Sequence, residues 1–493
     1  MSARKTRLFW KALLALLVVV VAGALSVYLL LFRPVAAPRT EDLARLFNHG
    51  SIGNEEVQGL PYWIWRVLPQ IFPEHVPNGK DGYGAFGMYW RAGDKVPIGF
   101  SVTTLGVIDR VSPNCAFCHQ GSYRLKPDEP RVLVSAGAGT RVDPQAYIRF
   151  LIKVGADARF TADRVMREIT TIYDMPLYER LLYRFVLIPA TRKAFQDQAR
   201  RFAWQDTRPD WGPGRIDPFN PVKFQNLELP DDGTIGNSDM MPLWNMSELA
   251  PTNIRTFSLH WDGLQTDVRE TAVSGAIGDG MSFKTFLRTQ ENLDRMIAFT
   301  SVQRPPPSPF KSSRETDDPL RVDASAVDAG QGVYQAQCAV CHDTNGARYR
   351  SPIPIVELGT DRHRIDMWSP AAKSRYADYE TGYRWGFTHF QKAEGYVAVD
   401  MAGLWLRGPY LHNGSVPTLA DLLKSPEQRP KQFYRGSDLV DTVNGGFVSA
   451  EQPETGGFLY DTSLPGNGNG GHLWGTDLPQ AEKDNLLAYL KTL

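Results

Sequence analysis

The four cysteines of this 493-residue chain fall into two matching motifs, Cys115-Ala-Phe-Cys118-His119 and Cys338-Ala-Val-Cys341-His342. No cysteine is left over, and two of only nine histidines directly follow the pairs. Chance is a poor explanation for that arrangement. Because each CxxCH motif holds two thiols and one imidazole on a single short turn, it limits the local fold more than any other feature of the sequence.

Three chemical explanations compete for the CxxCH motifs. A disulfide within each CxxC would suggest a thioredoxin-like redox motif, but it would leave both histidines as coincidences. A zinc ion normally takes four protein ligands, and two CxxCH units around one ion would be unusual in an exported protein. Two thiols at this spacing can instead add to the vinyl groups of one haem, whose iron the histidine ligates. We therefore predict two covalently bound haem c groups, held by Cys115, Cys118 and His119 and by Cys338, Cys341 and His342.

The first residues of the chain indicate export. An apolar run over residues 9–32 follows a cationic start and is long enough to cross a bilayer. The cations place residues 1–8 in the cytoplasm and the rest outside it. Ala22-Gly23-Ala24 resembles a signal-peptide cleavage site, but the apolar run continues well beyond it. We expect a retained single-pass anchor in a bacterial inner membrane, with the remaining chain in the periplasm.

Charge and proline content set the expected organisation. Charged residues number 54 basic and 54 acidic, so no net field favours nucleic acid, and no nucleic-acid partner is expected. Consecutive prolines in SVQRPPPSPF favour an extended joint between two halves. Each half has one CxxCH motif and closes on an amphipathic helix, near residues 291–302 and 484–493. The predicted divisions are 33–302, a linker over 303–322, and 323–493.

Local patterns predict a few elements within this organisation. The β-branched run over residues 98–108 indicates a strand. Residues 143–154 favour a helix, and residues 164–201 favour mostly helix with interruptions near Pro176 and Pro189. Long irregular loops are expected elsewhere because Gly, Pro and aromatic residues show no sustained helical period. The predicted fold class is mainly α, with one N-terminal transmembrane helix ahead of two helical domains.

The second axial ligand of each iron decides between electron transfer and chemistry. His472 lies in a Gly/Asn loop ahead of the last helix and is a candidate sixth ligand of the second haem, the alternative being a solvated loop histidine. His412 is a candidate for one of three roles: it ligates the iron, it contacts a haem propionate or an iron ligand without binding the iron, or it only packs in the core. His260 is a candidate for the distal pocket of the first haem or an ordinary buried histidine.

Other side chains of the same region are further candidates. Methionine also ligates haem iron, and three methionines fall near His260: Met240, Met241 and Met246. Trp244 and Trp261 are candidates for the distal pocket or for positions between the haems, although aromatic side chains are more often part of a core. The sequence alone does not choose among these alternatives.

Several motifs resemble a known family. Two CxxCH motifs with GLWLRGPYLHNGSVPTLADLL at residues 403–423 resemble the di-haem cytochrome c peroxidase superfamily. The closer resemblance is to the rubber (latex-clearing) di-haem oxygenases and the uncharacterised cytochromes grouped with them. It rests on PIGFS, on LWN followed by LHWDG, on the proline-rich joint and on FLYDTSLPGNGNGGHLWGTDL. It extends over roughly residues 50–493.

The resemblance implies two cytochrome-c-like haem domains, over 33–302 and 323–493, with an open face on the first haem. The second haem would be ligated by both His342 and His472, with His412 at the family's PYxHxG position beside it. The rubber oxygenases are secreted, whereas this chain is predicted to be anchored, which argues against a bulky extracellular polymer as substrate. Arg407-Gly408-Pro409 stands where peroxidases hold an inter-haem calcium near a T-x-P stretch, so the resemblance does not carry over a calcium ion.

Two hypotheses of function follow. The first is a membrane-anchored periplasmic di-haem c-type cytochrome that activates peroxide or dioxygen at the first haem, with the second as electron-transfer site. The alternative is a non-enzymatic electron-transfer cytochrome between a membrane oxidoreductase and a soluble carrier. His260 beside Trp261 would favour the alternative if it occupied the distal pocket. The expected partners are the membrane and a redox protein, either a soluble cytochrome, a cupredoxin or a membrane oxidoreductase.

Overall fold

The structure is a computed structural model that describes residues 3–31, 33–34, 39–249, 256–314, 318–379, 387–453 and 456–493. Some predicted segments extend past these ranges. Residues 1–2 of the tail, Phe32 of the anchor and residues 315–317 of the linker lie outside the described residues.

Sixteen α-helices occur in the described ranges, and most are short. They are α1 (Ala3–Leu31), α2 (Leu43–His49), α3 (Tyr62–Ile71), α4 (Pro144–Ala156), α5 (Ala162–Ile172), α6 (Leu177–Leu182), α7 (Ile188–Arg201), α8 (Val268–Gly278), α9 (Phe283–Ser301), α10 (Ala324–Gln337), α11 (Ala339–His342), α12 (Ile355–Leu358), α13 (His363–Asp366), α14 (Pro370–Ala377), α15 (Leu419–Leu422) and α16 (Gln480–Lys491). A π-helix over Tyr183–Leu187 joins α6 to α7.

Thirteen strands of two to six residues lie between these helices in the described chain. They are β1 (Leu60–Pro61), β2 (Phe100–Leu105), β3 (Ile108–Pro113), β4 (Gln120–Tyr123), β5 (Val132–Ser135), β6 (Arg215–Ile216), β7 (Ser238–Asp239), β8 (Lys311–Ser313), β9 (Arg321–Asp323), β10 (Pro352–Pro354), β11 (Gly395–Val397), β12 (Gln432–Arg435) and β13 (Phe458–Asp461). One sheet has three strands in the order β1-β3-β2, and the others are two-stranded; only β8 and β9 pair in parallel.

The fold is therefore not plainly mainly α, and the predicted class is only partly right. The apolar run over residues 98–108 forms a β-hairpin of β2 and β3 and not one strand. The predicted helix near residue 143 is α4. Asp143 caps its N-terminus, because the side chain accepts a hydrogen bond from the Ala146 amide at 2.8 Å. The predicted break at Pro176 occurs, and near Pro189 the α-helix is interrupted by the π-helix over Tyr183–Leu187.

The N-terminal helix α1 is long and apolar enough to span a membrane over Arg7–Leu29, and none of that stretch is buried. Its 23 residues reach roughly 35 Å at the helical rise, and a bilayer core is about 30 Å thick. A signal sequence would have the same composition. After α1, the Arg33 carbonyl accepts from the Gly106 amide at 2.7 Å, and Pro34 forms a β-bridge with Leu105. The chain leaving α1 is thus tied to the tip of the β2–β3 hairpin.

Each half has a closing helix packed on an earlier one. In the second half, α10 crosses α16 so closely that a Cβ on Gly330 would overlap the backbone oxygen of Asn485. The Tyr334 and Tyr489 rings pack beside this crossing, with centroids 5.3 Å apart. In the first half, α9 packs on α2, where the Phe299 and Phe47 rings lie 5.3 Å apart.

The apolar core extends across the predicted boundary between the halves. One cluster of buried side chains belongs to the first half alone. A second joins Phe219 and Trp244 of the first half to Trp368, Tyr376 and Trp405 of the second. The predicted domain limits stay a prediction, since a shared core gives no sharp division.

The proline-rich joint is packed against the protein in its described part. The Trp405 indole donates to the Pro306 carbonyl at 3.3 Å. The Ser308 hydroxyl donates to the Lys491 carbonyl, at the end of α16, at 2.6 Å. The joint therefore holds the last helix in place as well as connecting two halves.

Candidate haem sites

The second CxxCH motif lies where α10 ends and α11 begins. Its turn is closed by the His342 amide, which donates to the Cys338 carbonyl at 3.0 Å. His342 Nδ1 lies 2.7 Å from the Val399 carbonyl, which can only accept, so Nδ1 carries the proton and Nε2 keeps its lone pair. Burial lowers the pKa of His342, which also favours the neutral ligand form. The turn therefore presents one imidazole ready to bind a metal.

His472 faces His342 across a cavity. The two ring centroids are 6.3 Å apart. Two imidazoles on opposite sides of one metal, each with a bond of about 2 Å and about 1.1 Å from ring nitrogen to centroid, would have centroids roughly 6 Å apart. Burial lowers the pKa of His472 to about 3, with smaller contributions from His342 and Arg429. This ring is therefore also neutral. The spacing fits a haem iron between the two rings.

The loop that carries His472 is held firmly. The Arg429 guanidinium donates to the carbonyls of Asn469 at 2.6 Å and Gly471 at 2.9 Å. The His472 amide donates to the Leu358 carbonyl at 2.8 Å. Gly471 has a positive φ of 72°, and a Cβ there would overlap backbone next to α12. Gly471 therefore allows a close approach of the two backbones that places His472.

The cavity between the two rings is large and mostly apolar. It encloses about 1280 Å³, including its open mouth, and both cysteines of the motif line it. Three buried polar atoms on its wall, His412 Nε2, Thr360 Oγ1 and His472 Nδ1, have no hydrogen-bond partner among the described residues. An apolar slot with polar groups at its wall fits a haem and its two carboxylates. None of the four cysteines forms a disulfide, so both pairs stay available for haem.

His412 lies in the wall of this cavity and not opposite His342. Its ring stacks on Tyr396 with centroids 3.7 Å apart and planes 14° apart. Burial lowers the pKa of His412 to about 3. Since His472 already occupies the face opposite His342, the geometry favours a contact at the haem edge among the three predicted roles.

The first CxxCH motif forms a 3-10 turn over Cys115–Phe117. Asn114 caps the turn by accepting from the Ala116 amide at 3.0 Å. His119 Nδ1 lies 2.8 Å from the Met241 carbonyl, an arrangement like that of His342. Burial lowers the pKa of His119 to about 4. This second neutral imidazole also keeps its Nε2 lone pair for a metal.

Two glycines allow the backbone to pack tightly against this turn. A Cβ on Gly99, whose φ is 88°, would overlap the backbone of Phe117. A Cβ on Gly139 would press against the Cys118 carbonyl, which accepts from the Gly139 amide at 3.0 Å. Burial raises the pKa of Cys115 to about 12, and the charge of Asp279 adds a smaller contribution. Burial likewise raises the pKa of Cys118.

The distal-pocket candidates occupy different places. Trp261 lines the second cavity, and its indole donates to the Asp239 carbonyl at 2.8 Å. Asp239 is two residues before Met241, whose carbonyl binds His119. Trp261 thus lies between the two CxxCH motifs and not on one side of the first.

Trp244 also lies between the motifs. Its indole donates to the Ser135 carbonyl at 3.3 Å, in the hairpin that follows the first motif. The Arg407 guanidinium, which lines the second cavity, lies 5.8 Å from the Trp244 ring centroid. Of the nearby methionines, Met240 is buried in the first-half core and Met246 packs with a separate cluster around Leu249.

His260 lies in a different environment. Its backbone has a positive φ of 61°, and its ring lies edge-on to Phe219 with centroids 5.7 Å apart. Its Nε2 is buried without a hydrogen-bond partner among the described residues. Burial, and then Arg364, lower the pKa of His260 to about 3. These contacts describe a buried neutral histidine with one free nitrogen.

The remaining histidines bind carboxylates. The pairs are His49 with Asp94 at 3.1 Å, His75 with Asp157 at 3.0 Å, His363 with Asp361 at 2.9 Å and His389 with Glu270 at 2.8 Å. The Val399 and Met241 carbonyls that orient the CxxCH histidines could not be predicted from the sequence, because any residue type supplies a carbonyl. Tyr396 and Arg429 were also missed.

A comparison with known protein families matches a segment that forms part of the cavity wall. Residues 395–435 match the family model described as "RoxA-like, cytochrome c-like". This segment includes β11, Arg407, His412 and much of the wall that faces Cys338. The segment is thus similar to a cytochrome c domain of the RoxA type. Such a domain implies covalently bound haem c, and the match supports a haem cytochrome.

Two relatives from Sinorhizobium fredii (strain NBRC 101917 / NGR234) are similar to parts of this chain. The uncharacterized protein y4iJ is 42% identical over 107 residues, which is 20% of this chain and 18% of the relative. The uncharacterized protein y4iM is 33% identical over 171 residues, which is 29% of this chain and 38% of the relative. The matches therefore span well under half the length of these relatives.

Proposed function

We propose that the chain is a membrane-anchored periplasmic di-haem oxidoreductase that activates peroxide or dioxygen. In this proposal Cys115, Cys118 and His119 hold the first haem, while Cys338, Cys341, His342 and His472 hold the second. The placement is within the cytochrome c peroxidase superfamily, near the rubber-oxygenase-like di-haem cytochromes. Two CxxCH turns with the same carbonyl-bound histidine support two haems and not one.

The observation that carries this proposal is an asymmetry in ligand supply. His342 has His472 opposite it at a spacing suited to one iron. Of the other histidines, four are bonded to carboxylates, His412 lines the second cavity and His260 packs on Phe219. A first haem held by His119 alone would keep an open face, whereas the second would have none.

The residues of the chain would give the two haems different roles. When bound, a haem with an open coordination position supplies peroxide or dioxygen chemistry, and a doubly ligated haem transfers electrons. The Met241 and Val399 carbonyls fix the orientation of the two CxxCH imidazoles and raise their basicity. Trp261 and the segment from Asp239 to Met241 form a continuous packed route between the sites.

The alternative is an electron-transfer cytochrome without enzymatic activity. The buried Nε2 of His260 favours it, because a free neutral imidazole nitrogen could ligate a haem iron. Either function suits a protein held at a membrane by α1, and the apolar run over Arg7–Leu29 supports that anchor. The proposed partner is a redox protein, either a soluble cytochrome, a cupredoxin or a membrane oxidoreductase.

Electron paramagnetic resonance on the oxidised, haem-loaded protein tests the proposal. We expect one high-spin and one low-spin ferric signal, and carbon monoxide binding to only one ferrous haem. Haem content measured on the same sample should be two per chain, and one in the Cys115→Ser, Cys118→Ser double variant. Two low-spin signals without carbon monoxide binding would reject the enzyme and support the electron carrier, and a single haem would reject both.

A further inference from the structure

The segment from α5 to α7 presents an apolar face to solvent that the haem sites do not use. Six large apolar side chains are exposed there, with exposed fractions between 44% and 72%: Ile172, Leu177, Tyr178, Leu181, Phe185 and Val186. We call these six residues the α6 face. Inward from it, Tyr183 and Leu187 of the π-helix are buried in the first-half core. The face therefore covers a formed core and is not part of a loose segment.

An exposed patch of this kind is costly in water. Each square ångström of apolar surface removed from water contributes about 25 cal/mol, so contiguous exposed side chains indicate a partner surface. Leu177, Tyr178, Leu181 and Phe185 follow one another at steps of one, three and four residues, which places them on one side of the helix. The face is thus continuous along α6 and the π-helix.

The α6 face lies on the same part of the protein as the exit from α1. The chain after α1 is tied to Leu105 and Gly106 at the tip of the β2–β3 hairpin. Asp109 is only three residues along β3, or roughly 10 Å. Ile108 of β3 and Tyr183 of the π-helix are buried in the same apolar cluster, so the π-helix and the hairpin pack on one core. The hairpin connects the exit from α1 to the α6 face.

The charge around the α6 face also suits a bilayer. Residues 162–201 contain eight basic and five acidic side chains, a net charge of +3 in a chain whose total is zero. Basic residues close to an anionic leaflet are each stabilised by about 1 kcal/mol. Apolar side chains flanked by arginines are typical of helices that lie in the headgroup region of a membrane.

We propose that the α6 face lies in the outer leaflet of the bilayer that α1 spans, and so holds the haem domains flat on the membrane. The occupant is a lipid surface that contains anionic headgroups. This inference rests on the proposed membrane anchor, since α1 positions the α6 face next to the bilayer. It adds a second contact that fixes the orientation of the periplasmic part.

The test uses the full-length, haem-loaded protein in vesicles of equimolar phosphatidylcholine and phosphatidylglycerol. An environment-sensitive nitrobenzoxadiazole label is attached to F185C and, as a matched control, to V356C on α12, where the side chain is 92% exposed. The native cysteines are bonded to haem and are not expected to react, which unsubstituted protein checks. We expect a blue-shifted emission that spin-labelled lipids quench for F185C, and neither change for V356C.

The outcomes separate this inference from the anchor itself. Mass spectrometry of the purified protein shows whether α1 is retained. A retained α1 with an F185C label that behaves as in water would overturn the α6-face proposal and leave the anchor standing. A cleaved α1 with a lipid-quenched F185C label would reject the anchor and support the α6 face. A blue shift that depends on protein concentration without lipid would assign the α6 face to a second copy and reject the lipid proposal.

Discussion

The CxxCH histidines show how a single residue can be prepared for a metal. His119 and His342 each direct Nδ1 to a backbone carbonyl, at 2.8 and 2.7 Å. A carbonyl cannot donate, so the proton is fixed on Nδ1 and Nε2 is left for iron. The same carbonyl bond also prevents rotation of the ring. The two sites therefore differ in what faces each histidine and not in the histidines themselves.

Replacement of His472 should change the spin state of one haem. In the His472→Ala variant the ligand opposite His342 is lost, so we expect the low-spin ferric signal to disappear and carbon monoxide to bind both haems. His412→Ala should keep the low-spin signal, because that ring lines the cavity wall. His363→Ala, in which a carboxylate-bound histidine is removed, is the matched control.

The spectra of these variants distinguish the two candidate ligands. Electron paramagnetic resonance and carbon monoxide difference spectra would be measured at one pH for all of them. Loss of the low-spin signal in His412→Ala, with its retention in His472→Ala, would contradict the assignment. An unchanged haem content in every variant ensures that the spectra report ligation and not loss of haem.

At the scale of elements, the crossing of α10 and α16 supports the second CxxCH turn. Gly330 lies at the closest approach, and a Cβ there would overlap the Asn485 backbone. Gly332 lies in the same helix, and a Cβ there would meet nothing within 4 Å. The helix that ends at Cys338 is therefore positioned by one glycine and merely weakened by the other.

Two alanine substitutions in α10 should have opposite effects. Gly330→Ala should force the helices apart and destabilise the protein by about 1–3 kcal/mol, as overpacking does. Gly332→Ala should stabilise α10 by roughly 0.5–1 kcal/mol, because alanine restricts the unfolded chain and favours helix. Guanidinium unfolding of haem-loaded protein measures both. Equal effects of the two substitutions would show that the crossing does not set the position of α10.

At the scale of the whole molecule, a buried ion pair joins the halves. Arg435 pairs with Asp239 and donates to the carbonyls of Pro213 at 3.0 Å and Gly414 at 2.7 Å. Both side chains are almost completely buried. Burial raises the pKa of Asp239 to about 6, although Arg435 lowers it. The carboxylate therefore depends on this arginine to stay charged next to the two haem sites.

Removal of Arg435 should be costly because it leaves an unpaired buried carboxylate. We expect Arg435→Met to lower the free energy of unfolding by about 3–5 kcal/mol, and a second change, Asp239→Leu, to restore much of the loss. Arg269→Met removes an exposed pair with Asp294 and should cost less than about 1 kcal/mol. If denaturant unfolding showed no larger effect for Arg435→Met than for Arg269→Met, the pair would not hold the halves together.

The sequence by itself determined the chemistry that is local in the chain. Two thiols and a histidine within five residues indicate haem attachment, since one turn supplies all three groups. The apolar run of α1 and the caps of α4 are also local, so they could be predicted. The strands were largely missed, because two-residue to six-residue ladders depend on partners that lie far away in the chain.

Only the tertiary structure decided which groups meet across the sites. His472 is 130 residues from His342, and its approach depends on Arg429, Gly471 and the α12 backbone. No spacing rule connects such positions, because loops of that length allow many closures at similar entropic cost. The sequence left Trp261 as a candidate for the distal pocket or for a position between the sites, and its contacts favour the second. The proposed attachment points are therefore encoded locally, and the approach of His472 to His342 is set by packing.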